Sequence, residues 1–120
     1  MTPVTAEVPK LENSDALVIV DVQQDFCPGG ALAVPDGDQV VPVLNRWIER
    51  ARRAGCPIVA TRDWHPPDHI SFAAQGGPWP THCVRESPGA AFHPDLRTDG
   101  AELVIRKGFR PALDSYSAAP

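Results

Sequence analysis

Residues 16–20, "ALVIV", form a short unbroken apolar run that stops at Asp21. Its length and its valine and isoleucine content predict a strand buried on both faces, as in parallel sheets. Beyond a Pro-Gly-rich loop the period changes. Val40, Leu44, Trp47, Ala51 and Ala54 recur at i, i+4, i+7, i+11 and i+14 and predict one apolar face of a helix over 39–54. Asp38 supplies an N-cap, Pro42 falls near the first turn, and Arg50, Arg52 and Arg53 sit where the helix dipole favours cations. Gly55 follows as a left-handed stop. A second apolar run, "PIVATR" at 57–62, leads into Asp63, and a third, "ELVI" at 102–105, leads into Arg106-Lys107-Gly108. Strand, helix and strand make a right-handed βαβ unit. The stretch 64–100 is dominated by Pro, Gly, His and Asp, with at most a short helical turn at 69–75. A connection that long inside a compact domain points to function.

Composition narrows the possibilities. A chain of 120 residues suits one domain, and 42% hydrophobic residues suffice for a core. A net charge of −4 argues against nucleic acid as a partner, because phosphate neutralisation needs a basic surface. No apolar run approaches the roughly 20 residues of a membrane span. The first dozen residues lack the basic-then-apolar order of a signal peptide, so a cytoplasmic location is expected. Residues 1–14 are expected to be a flexible extension of a single, incomplete domain over 1–120. Cys27, Cys56 and Cys83 are odd in number and lack a C-x-x-C pair, which indicates reduced thiols.

The three predicted strands each deliver an ionisable residue at the carboxyl end, Asp21, Asp63 and Lys107. Ligands of open α/β sheets bind beyond those ends. One charge there can simply mark the return to water; three beside a histidine-rich loop ask for more. Asp63 and His65 are two apart, so on extended backbone they project to the same side, and Pro66 favours that geometry. Oxygen plus imidazole suits Zn, Fe(II) or Mn(II), with His69 or His82 as candidate third ligand. His93, in "FHPD", reads as structural. A carboxylate paired with a lysine often accompanies a nucleophile. Cys56 lies at the helix-to-strand junction and reads as packing. Cys27 and Cys83 lie in loops, and neither follows a strand into a helix N-terminus where a thiolate is favoured. The chemistry is therefore incomplete within these residues.

Taken in order, "ALVIVDVQQDFCPGGALAV", "TRDWHPPDHISFA", "WPTHCV", "PGAAFHPDL", "RKGF" and "DSYSA" resemble the nicotinamidase branch of the isochorismatase-like cysteine hydrolases, from about 16 to 117. The resemblance implies an α/β fold with a partial doubly wound parallel sheet, lacking the family's C-terminal strands and helices. It implies hydrolysis of nicotinamide to nicotinate and ammonia in NAD salvage, with pyrazinamide-like analogues also accepted. Asp21 matches the carboxylate that carries the nucleophile's proton, and Lys107 its triad partner. Asp63, His65 and His82 match ligands of a divalent metal (Zn, Fe or Mn) that binds the pyridine nitrogen. Phe26, Trp79 and Tyr116 match aromatic walls of the ring pocket. The role of His69 stays open. The family's cysteine nucleophile lies in a segment absent from these residues, which implies that they are inactive alone and work with a complementing C-terminal segment or as a homo-oligomer. Two alternatives stay open: a non-catalytic metal- or ligand-binding module, and a different isochorismatase-type amidohydrolase. An uncovered sheet edge and face further predict that the isolated chain associates.

Overall fold

The computed structural model describes residues 9–118. Strands β1 (Leu17–Val20), β2 (Ile58–Asp63) and β3 (Leu103–Lys107) form one parallel sheet in the order β1-β2-β3, and helix α1 (Val40–Ala54) makes the crossover between the first two. Register sets the faces. Ile19 pairs with Ala60, Val20 with Thr61, and Asp63 with Lys107. Paired residues of a sheet share a face, so Leu17, Ile19, Ile58 and Ala60 point one way, and Val18, Val20, Thr61, Asp63 and Lys107 point the other.

Helix α1 covers the first face, where Val41, Ile48 and Ala51 join Ile19, Ile58, Ala60 and Leu96 in the core. This corrects the predicted helix face. Val40 is exposed and Trp47 half-buried, with the Arg50 guanidinium 5.5 Å from the indole centroid. Apolar residues at 40, 41, 43, 44, 47 and 48 permit more than one rotation, and contact with the sheet selects 41/44/48/51. The predicted N-cap is corrected too. Asp38 lies inside a 3-10 turn, Gly37–Gln39, and Gln39 holds the cap position with no side-chain bond. That turn is opened by Asp36 in the left-handed region, and the Gln39 N–H bonds to the Asp36 carbonyl, so no side-chain acceptor is recruited. Gly55 ends the helix at φ 72°, its N–H reaching back to the Ala51 and Arg52 carbonyls.

The strand predicted to be buried on both faces is buried on one. Val18 and Val20 are 53% and 63% exposed, because no described element packs on that side of β1. The 64–100 stretch is ordered by short 3-10 turns at Ala73–Gln75, Pro88–Ala90 and Thr98–Gly100, and by bridges that return it to the strand ends, Gln23 to Phe92 and His65 to Val84. Of the stretch expected to be an extension, residues 1–8 lie outside the described residues. Leu11 packs against the core and the Cys56 thiol donates to the Glu12 carbonyl at 2.9 Å. No helix among the described residues is long and apolar enough to cross a membrane.

An exposed valine pair on an edge strand is a template for association. The isolated 120-residue chain is expected to sediment as concentration-dependent oligomers, and Val18→Lys with Val20→Lys to shift it towards monomer. Sedimentation velocity checks this; a wild-type chain that stays monomeric at every concentration contradicts it.

Candidate active site

All three strand-end residues converge. The Lys107 ammonium, only 6% exposed, lies 2.8 Å from Asp21 Oδ2 and 2.5 Å from Asp63 Oδ1, and donates its remaining hydrogen to the Tyr116 carbonyl at 2.9 Å. Its three N–H groups are thereby used. Asp21 sits just past β1 in the left-handed region (φ 54°), where its N–H bonds to the Thr61 carbonyl and its Oδ1 accepts from the Thr61 hydroxyl at 2.8 Å. Such a conformation costs an L-residue of order 1–2 kcal/mol. It turns the carboxylate across the sheet towards β3. Burial acts to lower the Lys107 pKa, but Asp21 and Asp63 outweigh it and raise the pKa above its ordinary value. At Asp63, burial acts upward, and His65 and Lys107 outweigh it to hold the carboxyl below the usual range.

The second oxygen of Asp63 faces two imidazoles. His65 Nε2 is 3.5 Å and His82 Nε2 3.8 Å from Asp63 Oδ2, and all three side chains are buried. Their donor atoms lie within 4.8 Å of one another. Backbone carbonyls orient both rings: Gly108 O lies 2.7 Å from His65 Nδ1, and Pro80 O 2.7 Å from His82 Nδ1. A carbonyl only accepts, so each Nδ1 carries a hydrogen, and each Nε2 is turned towards Asp63. Burial acts to lower the His65 pKa, but Asp63 outweighs it and raises the pKa above its ordinary value. In the neutral form, Nε2 of either ring offers its lone pair to a metal. One carboxylate oxygen and two converging imidazole lone pairs, each ring held by an outer carbonyl, fit a divalent metal. Burial lowers the His82 pKa below its ordinary value, partly offset by the Pro80 carbonyl, which favours the ligating neutral form. His69, the other candidate third ligand, is not in this cluster.

A cavity of about 780 Å³ opens over these groups on the sheet face opposite α1. Phe26, Trp79 and Tyr116 line it together with Asp21, Asp63, His65, His82 and Lys107, as do Val18 and Val20. Tyr116 is 85% exposed and forms its outer rim. Two residues that the sequence reading passed over build the frame. Gln23, fully buried, donates from Nε2 to the Asp63 and Ala90 carbonyls at 2.8 and 2.9 Å and accepts the Asp63 N–H at 2.8 Å. Asp25 accepts the Cys83 N–H at 2.7 Å and the Ala31 N–H at 3.1 Å. Their spacing in "DVQQDF" gave no periodic signal; a polar pair directly after a buried strand is the cue that could have found them. The two loop cysteines lie in surroundings that disfavour a thiolate. Cys83 has no exposure, and burial together with Asp63, Asp25 and Asp21 pushes its thiol far above the ordinary value. Cys27 is buried and raised by burial and by Asp38.

A parallel α/β sheet with a lysine-bridged carboxylate pair at its carboxyl edge and an Asp-His-His cluster beside it defines a metal-competent acid/base site. Residues 15–116 match the isochorismatase domain, and the chain belongs to that family. It is similar to a nicotinamidase of Escherichia coli (strain K12), 46% identical over 118 residues that cover 86% of this chain and 55% of that one. Among solved structures it is similar to the pyrazinamidase of Pyrococcus horikoshii in complex with zinc, with a TM-score of 0.79, 51% identity, and 84% of this chain against 55% of that one. It is also similar to PnC1 from L. infantum in complex with nicotinate, with a TM-score of 0.85, 43% identity, and 92% of this chain against 56% of that one. The chain thus spans about half the length of the relatives it matches.

A Cβ at residue 108 would come within 2.6 Å of His65 Nδ1, at a backbone φ of +66°. Gly108→Ala is therefore expected to weaken zinc binding about 10- to 100-fold, read by chelator competition; unchanged affinity would refute the orienting role. For Lys107→Met, Asp21 and Asp63 lose their shared counter-ion, and stability at neutral pH should fall by about 3 kcal/mol. In the metal-free wild type the depressed Asp63 contributes stability above its unfolded pKa, lost as pH falls through its folded value. The raised Lys107 contributes below its unfolded pKa, lost as pH rises through its folded value. Urea unfolding should therefore show stability lost at both limits, below about pH 4 and above about pH 10. The shifted His65 and His82 add a separate change around the ordinary imidazole range. Stability that stays flat through both limits would show that the pair contributes nothing.

Proposed function

We propose that this chain forms the acid/base and substrate-orienting part of a nicotinamidase, which hydrolyses nicotinamide to nicotinate and ammonia. The observation that carries the reading is the Lys107 bridge between Asp21 and Asp63 on the floor of an aromatic-walled cavity, with His65 and His82 on the other Asp63 oxygen. Asp63, His65 and His82 would hold a zinc, iron(II) or manganese(II) ion. Such an ion, when bound, supplies a Lewis-acid contact for the pyridine nitrogen of the substrate. Phe26, Trp79 and Tyr116 flank the ring, and a carboxamide turned inward from a ring so held comes towards Asp21. That carboxylate accepts the proton of the attacking thiol and returns it to the departing ammonia. Lys107 holds Asp21 in place between those two transfers through their ion pair. The relatives carry matching names, and one neighbour was solved with nicotinate.

None of the three cysteines in these 120 residues suits the nucleophile's role, so the expected partner is a segment equivalent to the remaining length of the relatives. The 120 residues alone should release negligible ammonia from nicotinamide, and addition of that segment should restore release. Asp21→Asn in the restored protein should lower turnover by about 10³-fold. Ammonia from the 120 residues alone would overturn the first expectation. A reconstituted, metal-loaded protein that binds nicotinamide without turnover would instead support a non-catalytic binding module.

A further inference from the structure

His69 is fully buried and both of its ring nitrogens are engaged. The Ser71 N–H donates to Nδ1 at 3.3 Å, with the Ser71 hydroxyl 2.6 Å from the same atom. A nitrogen that accepts a backbone N–H carries no hydrogen, so the hydrogen is on Nε2, which donates to the Leu113 carbonyl at 3.0 Å. The ring also stacks on His65, with centroids 4.3 Å apart and planes 25° apart. With Nδ1 and Nε2 both committed, His69 has no lone pair to offer the Asp63-His65-His82 cluster.

The carbonyl it holds begins a stretch that wraps the cavity without regular structure. Residues 114–118 line the cavity, yet they form no helix or strand, Leu113 is half exposed and Tyr116 almost wholly so. Little apolar burial anchors such a segment, and its position rests on hydrogen bonds. Three come from the frame of the site: Ile70 N–H to Pro111 O at 2.8 Å, His69 Nε2–H to Leu113 O, and Lys107 Nζ–H to Tyr116 O at 2.9 Å. We propose that His69 is a positioning residue for the substrate pocket, a latch that ties the 113–118 wall to the ring of a candidate metal ligand. Its bearing on substrate rests on the nicotinamidase reading; the latch itself does not.

The test compares the full-length, metal-loaded wild type with two variants. His69→Phe keeps a flat ring against His65 but has nothing to donate to Leu113 O. His69→Gln restores both functions, an amide hydrogen for Leu113 O and an amide oxygen for Ser71. Amide hydrogen exchange across 110–118 should rise several-fold in His69→Phe and return towards wild type in His69→Gln, while zinc stoichiometry stays unchanged in both. KM for nicotinamide should rise up to about tenfold in His69→Phe, the effect of one lost hydrogen bond, with kcat changed by less than about twofold, and should recover in His69→Gln. If the phenylalanine variant does not fold, His69→Asn, whose amide ends short of Leu113, gives the same comparison. Loss of zinc in the variants would make His69 a ligand and overturn the proposal. Exchange and KM at wild-type levels, or equal changes in the phenylalanine and glutamine variants, would reduce the residue to packing and overturn it equally. A wild type that binds zinc but releases no ammonia would refute the nicotinamidase reading alone, since exchange and zinc content still decide the latch.

Discussion

The site depends on one ammonium group. Lys107, delivered by β3, sits between carboxylates delivered by β1 and β2, and its three hydrogens go to Asp21, Asp63 and the Tyr116 carbonyl. Two part-buried carboxylates share that one cation as their counter-charge. Asp63 then divides its work, one oxygen on Lys107 and the other facing His65 and His82. A single side chain thereby couples the Asp21-Lys107 ion pair to the metal-competent cluster, and a third bond from the same lysine reaches the pocket wall. Charge balance and pocket shape meet at Lys107 Nζ.

Around that centre lies a frame made largely of main chain. The Gly108 and Pro80 carbonyls aim the two imidazoles, and the absence of a side chain at Gly108 lets the backbone approach His65 closely. Gln23 pins the end of β2 to the 88–90 turn through three hydrogen bonds, and Asp25 holds the Cys83 backbone in place. Asp21 and Cys83 both adopt positive φ, a conformation that persists only where the surroundings over-determine it. Here those surroundings are the Thr61 hydroxyl, the Thr61 carbonyl and the Asp25 carboxylate.

The elements that were legible in the sequence are those with a local signal. Apolar runs ending at Asp21 and Asp63, a helical period closed by Gly55, and Lys107 after a third run define strands and helix from neighbours a few residues apart. From local pattern the site was legible where the fold class dictates it, at the carboxyl ends of parallel strands, and the family resemblance added His82 and the aromatic residues Phe26, Trp79 and Tyr116. The rotation of α1 was not, because its apolar residues permit two faces and the sheet chooses between them. Nor was the uncovered face of β1, since a run of apolar residues reads the same whether one side is packed or two.

Sequence by itself determined which chemical groups this protein has, in what order, and which strand ends present them. Tertiary structure alone decided how they combine: that Lys107 bridges both carboxylates, that the His65 and His82 rings converge on one Asp63 oxygen, and that Gln23, Asp25 and Gly108 hold the frame. These contacts link residues about 20 to 60 positions apart through loops without periodicity, where hydrogen bonds rather than hydrophobic pattern fix the path. Side-chain type shows what a residue can donate or accept; only the folded chain supplies the partner.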